Sequence, residues 1–151
     1  MVLDNPFLKL LDSGKPILSD GAMGTMLHKR GIGFDVCFDE LNLTNPAVVG
    51  DIHRAYIEAG ANIIQTNTFG GNRYKLEQHG LEDRLVEINT AGVELARRVV
   101  WASFKQVLIA GDVGPLGVRL APFGRVQPEQ ARQAFAEQIT ALANAGVDLL
   151  I

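Results

Sequence analysis

Four short runs of nearly continuous apolar sequence recur along this chain: Ile17–Asp20, Ala61–Thr66, Val107–Asp112 and Val147–Ile151. Each has the length of a strand, and strands buried on both faces read in this way, without alternation of apolar and polar positions. The segments between them carry apolar residues at helical spacing. In the first, Val48, Ile52, Ala55 and Ala59 form one stripe, with Asn45-Pro46 as N-cap and first helical residue and Gly60 as the stop. The second carries Leu85, Ile88, Gly92, Leu95 and Val99. The third starts near Gln127-Pro128, carries Ala131, Phe135, Ile139 and Leu142, and ends at Gly146. A short segment, Asn5-Pro6 followed by Phe7–Leu11 with Gly14 as its stop, precedes them all.

Two of the helix-to-strand passages echo each other. "AGANII" (Ala59–Ile64) and "AGVDLL" (Ala145–Leu150) share a small residue, a helix-ending Gly, a spacer, Asn or Asp, and then the strand. Strand, helix and strand repeated at similar spacing predict parallel strands joined by right-handed crossovers. Such an α/β chain is a doubly wound sheet or a (β/α)8 barrel, and both bind ligands at the C-terminal ends of their strands. Polar clusters stand there after the first three runs: "SDGAMGT", "QTNTFGGN" and "GDVGP". A dinucleotide fold needs G-x-G-x-x-G after its first strand and an acid at the end of the second. Here the corner reads G-A-M-G, the second strand ends in Gln65-Thr66-Asn67, and Asp39 and Glu40 come too early. A phosphate loop needs Gly-Lys-Ser/Thr, which is absent. The expected fold is therefore α/β, a (β/α)8 TIM barrel of which residues 1–151 supply about the first four strands and three crossover helices. On this reading the barrel continues beyond Ile151.

Composition narrows the partners. Of 151 residues, 47% are hydrophobic and 21% charged, a globular balance, and the net charge of −3 leaves no electrostatic footprint for nucleic acid or an anionic membrane. The start, "MVLDNPFLKLLD", has acids where a leader would have basic residues and lacks a long apolar stretch, and the single cysteine excludes an internal disulfide. A cytoplasmic setting is the expectation.

The corner "SDGAMGTML" (Ser19–Leu27) carries the most chemistry. Two glycines and a threonine at a strand-to-helix turn expose backbone N–H groups, which favour an anion. No Lys or Arg stands inside the loop. A bare turn and an anion site are both compatible with these residues alone.

Four stretches resemble the homocysteine S-methyltransferase family: "DGAMGT" (Asp20–Thr25), "NPAVVGDIHRAYIEAGANIIQTNTF" (Asn45–Phe69), "GDVGP" (Gly111–Pro115) and "QPEQARQAFAEQITALANAGVDLLI" (Gln127–Ile151). "FDVCFDELNLTNP" (Phe34–Pro46) and "FGGNRYKLEQHGLED" (Phe69–Asp83) look closest to bacterial forms fused to a methylenetetrahydrofolate reductase domain. The N-terminal homocysteine module of cobalamin-dependent methionine synthase is the alternative, as is a short binding module without catalysis. The resemblance implies methyl transfer to the homocysteine thiol, giving methionine, in the complete enzyme, with this stretch inactive by itself. It implies that the anion is the substrate's α-carboxylate, held by the amides of Gly21, Ala22 and Met23, with Gly24 and Thr25 completing the corner. Asp20, Asn67 and Thr68 would face the ammonium group or the substrate chain, and Asp112 would shape the pocket or cap the turn before Pro115. Asp20 could equally serve as a helix N-cap.

The resemblance further implies Zn2+, which holds the substrate sulfur as thiolate. Its cysteine ligands, and a glutamate for the substrate's amino group, are expected beyond residue 151. Cys37 matches no ligand position and reads as a small loop or core residue. His28, His53 and His79 lack metal-site spacing and read as solvated or helix-surface residues. Met23 and Met26 read as packing, and Glu82, Asp83 and Glu87 with Arg84, Arg97 and Arg98 as a charged helix face. The methyl donor stays open among methylfolate, methylcobalamin, S-methylmethionine and betaine. Fused reductase or cobalamin domains are the expected neighbours.

Overall fold

The structure, a computed structural model, describes residues 5–151. Residues 1–4, part of the stretch read as lacking a leader, lie outside the described residues. Helix α1 (Pro6–Asp12) starts where expected, with the Asn5 side chain accepting from the Phe7 and Leu8 amides at 2.8 and 3.3 Å. There follow α2 (Met23–Lys29), α3 (Leu41–Thr44), α4 (Pro46–Glu58), β1 (Ile63–Gln65), α5 (Arg73–Glu77) and a 3-10 turn (Glu82–Arg84). The chain then forms α6 (Leu85–Ser103), β2 (Leu108–Gly111), α7 (Pro128–Ala145) and β3 (Leu149–Leu150). The three strands make a parallel sheet in the order β1-β2-β3. No helix among the described residues is long and apolar enough to cross a membrane.

The sheet is α/β and parallel as expected, but its strands are shorter than their apolar runs. Ile17–Asp20 is not a strand: it makes one parallel bridge, Ser19 to Ile63, on the outer side of β1. Pro16 has no N–H, and the Leu18 N–H goes to the Asn62 side chain at 2.9 Å, so no regular ladder forms. Ala61 and Asn62 are likewise spent on leaving α4, and Val147 and Asp148 on leaving α7.

Those two exits are the same structure. Gly60 and Gly146 adopt left-handed φ values of +105° and +87°. In each case the next amide reaches five residues back: Ala61 N to Tyr56 O at 3.1 Å and Val147 N to Leu142 O at 3.4 Å. The following Asn62 or Asp148 then clasps the neighbouring extended segment. Asn62 N donates to Leu18 O (2.7 Å) while its Oδ1 accepts from Leu18 N (2.9 Å). Asp148 N donates to Ile109 O (2.9 Å) while its Oδ2 accepts from Ile109 N (2.7 Å).

Helix α6 buries the stripe its sequence predicts: Leu85, Ile88, Gly92, Leu95 and Val99. In α7, Gln127 and Gln130 form a capping box, and the buried line runs Ala131, Ala134, Gln138, Ala141 and Leu142, with Phe135 and Ile139 half-buried. Helix α4 is rotated by about one residue from its predicted stripe. It buries Val49, Ile52, His53 and Ile57 and leaves Ala59 exposed. Between sheet and helices, Ile57, Ile64, Ala96, Val99, Val107 and Ile109 form one core cluster. Leu27, Leu41, Val49, Ile52 and Leu95 form a second, against which Met23 and Met26 pack as expected.

His53 corrects the surface reading. It is fully buried, neither ring nitrogen has a hydrogen-bond partner, and burial lowers its pKa from 6.5 to about 4. The folded state therefore resists protonation that the unfolded chain accepts. The stability present above pH 6.5 is lost as pH falls towards 4. Asp39 and Asp112, both raised to about 6, act in the opposite sense, so comparison with a variant isolates the histidine. We expect the stability of wild type relative to His53→Leu to drop by about 2 kcal/mol between pH 7.5 and pH 5. Denaturant unfolding of the full-length protein at both pH values measures this; a constant difference would show that His53 does not stay neutral.

Candidate active site

The ends of the Ser19 bridge, β1 and β2 open into a cavity of about 690 Å3. Asp20, Gly21, Ala22, Met23 and Gly24 line it at the corner, Gln65, Thr66 and Asn67 at the end of β1, and Asp112 just after β2. The structure thus brings together most of the residues expected to meet substrate. Thr25 and Thr68 are not among the lining residues: Thr25 is exposed on α2, and Thr68 is fully buried.

At the corner, Asp20 N donates to Ile63 O at 2.9 Å, which fixes where the chain leaves the sheet. The next amides, of Gly21, Ala22 and Met23, donate to no acceptor among the described residues. Ala22, not Asp20, is the N-cap of α2, and no side chain caps that helix. Asp20 instead ties the corner to β1. Its Oδ2 accepts from Gln65 N at 2.9 Å, and its Oδ1 from Gln65 Nε2 at 3.2 Å. Burial raises its pKa against the lowering effect of these bonds. The Tyr56 hydroxyl, from α4, donates to Ala22 O at 3.3 Å and supports the corner from behind.

The loop after β1 is held by buried amide side chains. Asn42 Nδ2 donates to Asn67 O (2.8 Å), and Asn67 Nδ2 returns bonds to Phe38 O (2.6 Å) and Asn42 Oδ1 (3.2 Å). Asn89, on α6, donates to Gly71 O (2.8 Å), and Gln138, on α7, to Thr68 O (2.7 Å). Asn72 caps α5 through Lys75 N (3.1 Å) and donates to Pro115 O (3.3 Å). Asn67 and Thr68 therefore hold loops together, and Asn67 alone of the two reaches the cavity.

Several lining residues were not signalled by sequence. Asp39, considered there only as an acid misplaced for a dinucleotide fold, is buried in the cavity wall and accepts from Gly70 N at 2.8 Å. Burial pushes its pKa up to about 6. Lys75, from α5, brings the lining its cation and holds its ammonium 4.6 Å from the centre of the Phe69 ring. The only forewarning was Asn72, a helix N-cap three residues earlier. Phe34 and Phe38 add an aromatic side, with Phe34 stacked on His28 at 4.2 Å between ring centres. Cys37 reaches the wall from a core cluster with Leu76, Leu85, Ile88 and Ala141, and burial raises its thiol pKa. No group of three or more His, Cys, Asp or Glu side chains able to hold a metal occurs among the described residues.

An amide corner facing a cavity ringed by Asp20, Asp39, Asp112 and Lys75 suits a small zwitterion more than a phosphate ester. Comparisons with known proteins identify the family. The family model described as homocysteine S-methyltransferase matches residues 17–151. Methionine synthase of Mycobacterium tuberculosis is 32% identical over 157 aligned residues, covering 98% of this chain and 13% of that protein. Methionine synthase of Mycobacterium leprae is 32% identical, covering 89% and 12%. Among solved structures, the metallated form of the homocysteine methyltransferase MmuM from Escherichia coli superimposes with a TM-score of 0.82 at 29% identity. That match covers 97% of this chain and 56% of that one. Its apo form gives 0.69, covering 97% and 52%. The chain spans about half of that enzyme and a small part of the two synthases. With the family's motifs lining one cavity at the ends of a parallel sheet, the chain belongs to the homocysteine S-methyltransferase family.

Proposed function

We propose that this chain supplies the homocysteine-binding loops of an enzyme that transfers a methyl group to the homocysteine thiol, giving methionine. The parallel sheet and its helices are then part of a (β/α)8 barrel that spans more than residues 1–151. The observation that carries the reading is the corner at Gly21–Met23. Its residues line a cavity of about 690 Å3, within the range of small-molecule sites and with room for a donor beside an amino acid, and their amides are unpaired. Hydrogen bonds to a charged group are worth about 1.5–3 kcal/mol each, so two or three amides hold a carboxylate without a lysine. Gly24 lets the helix start close to Phe38, since a Cβ there would stand 3.3 Å from Phe38 Cε2.

The residues present do not form the zinc site that the family resemblance implies. The one cysteine is a core residue, and no three-ligand cluster exists among the described residues. No step is therefore derived through the metal, whose ligands are expected outside this stretch. Cys37→Ser should leave the metal content and methyl transfer of the full-length enzyme within about twofold of wild type. Loss of zinc from a folded Cys37→Ser protein would show that Cys37 is a ligand and that the ligands are not confined to the chain outside this stretch.

The two mycobacterial relatives favour a multidomain setting, so cobalamin or reductase domains joined to this one are part of the proposal. A cytoplasmic location belongs to it as well. A non-catalytic module is compatible with the fold but is not favoured. Calorimetric titration of the full-length protein with L-homocysteine, followed by a methyl-transfer assay with each candidate donor, tests the reading. Absence of homocysteine binding overturns it.

A further inference from the structure

Asp112 is held in an unusual way for a loop residue. Its N–H donates to Thr66 Oγ1 at 3.1 Å, and its carbonyl accepts from Thr68 Oγ1 at 2.8 Å. The two hydroxyls are 2.6 Å apart, and both threonines are buried. Gln138, from α7, fixes Thr68 in turn. The backbone of Asp112 is thus clamped on both sides, and the residue lines the cavity.

Its carboxylate is left without a partner. Asp20 gives its oxygens to Gln65, and Asp39 accepts from Gly70, but the Asp112 carboxylate accepts no hydrogen bond among the described residues. Nor does it cap the turn before Pro115. It is half-buried, and burial together with the charge of Asp20 raises its pKa to about 6, against the opposing charge of Lys75. Lys75 does not neutralise it directly: its ammonium lies over the Phe69 ring and forms no ion pair among the described residues. A half-buried carboxylate that accepts no hydrogen bond from the protein is poised to receive a cation.

We propose that Asp112 receives the α-ammonium group of the amino-acid substrate and so makes the cavity select a zwitterion over a des-amino thiol acid. This rests on the homocysteine reading of the cavity. A primary ammonium has three N–H donors, so Asp112 can share it with a second carboxylate elsewhere in the barrel. The corner amides and Asp112 then bind opposite charges of one small molecule from two different strand ends.

Binding of L-homocysteine and of 4-mercaptobutyrate, its des-amino analogue, to the full-length enzyme tests the assignment. Asp112→Asn should weaken homocysteine by about 10- to 100-fold, the worth of one charge-assisted bond, while 4-mercaptobutyrate stays within about twofold. Retained analogue binding shows that the cavity is intact. Asp112→Ser, which removes the carboxylate and adds no bulk, is the second variant should the asparagine protein not fold. Equal loss for both ligands, or no loss for homocysteine, overturns the assignment. So does a wild type that binds both ligands equally, whatever the variants do. A wild type that binds neither ligand refutes the homocysteine reading itself, and the assignment with it.

Discussion

Gly114→Ala should cost about 3 kcal/mol or more and abolish homocysteine binding. The "GDVGP" loop after β2 passes so close to the loop after β1 that an added methyl would stand 2.7 Å from Phe69 Cδ2. It would come closer still to the Phe69 carbonyl oxygen. A side chain can rotate away from such a clash, but a backbone carbonyl cannot. The two loops would have to separate, drawing Asp112 away from Thr66 and Thr68 and moving Phe69 from beneath Lys75. Denaturant unfolding and calorimetry on the full-length protein measure both effects. A variant as stable as wild type would show that these loops do not meet as described.

The second large effect is expected at Gly21. Gly21→Val should weaken L-homocysteine by about 100-fold, the loss of one or two amide bonds to its carboxylate, while zinc content is unchanged. The obstacle is Tyr56. A Cβ on Gly21 would lie 2.9 Å from the Tyr56 hydroxyl and 3.2 Å from its Cε1. Valine must displace either the tyrosine, which donates to Ala22 O, or the corner that lines the cavity. Gly21→Val should therefore be worse than Tyr56→Phe, which loses only the hydroxyl and should weaken binding by less than about tenfold. Normal homocysteine affinity in a folded Gly21→Val protein would refute the amide corner as the carboxylate site.

What the sequence disclosed and what it hid divide along physical lines. Helix α6 and the exits at Gly60 and Gly146 were legible because their signals are local: apolar residues at helical period and glycines in a left-handed conformation. The strand ends carrying Gly21–Gly24, Asn67 and Asp112 were legible because parallel sheets place ligand loops there. The missing first strand was not, since it depends on where the Leu18 amide goes, and that partner is 44 residues away. Nor were Asn42, Asn89 and Gln138, which are polar by type yet buried because they carry the loops' backbone bonds. His53 misled for the same reason: a polar residue on a helix counts as surface until its neighbours are known. Arg97 was read as part of a charged face, but it donates to the carbonyls of Ala145 and Gly146 at the end of α7 (2.6 and 2.9 Å). Lys75 and Asp39 acquire their role only when α5 and the loop before α3 fold over the cavity.

The paired clasps of Asn62 and Asp148 bear on the order in which this protein can be built. Each grips an extended segment that precedes it in the chain, the bridge segment at Leu18 in one case and β2 at Ile109 in the other, and neither waits for a later segment. Register is thus set against polypeptide already made, at the moment each helix ends and its strand begins. A slip of one residue would turn every side chain of the incoming strand to the wrong face. A nascent chain leaving the ribosome could lay down its strands one after another, each fixed by an anchor to the strand before it.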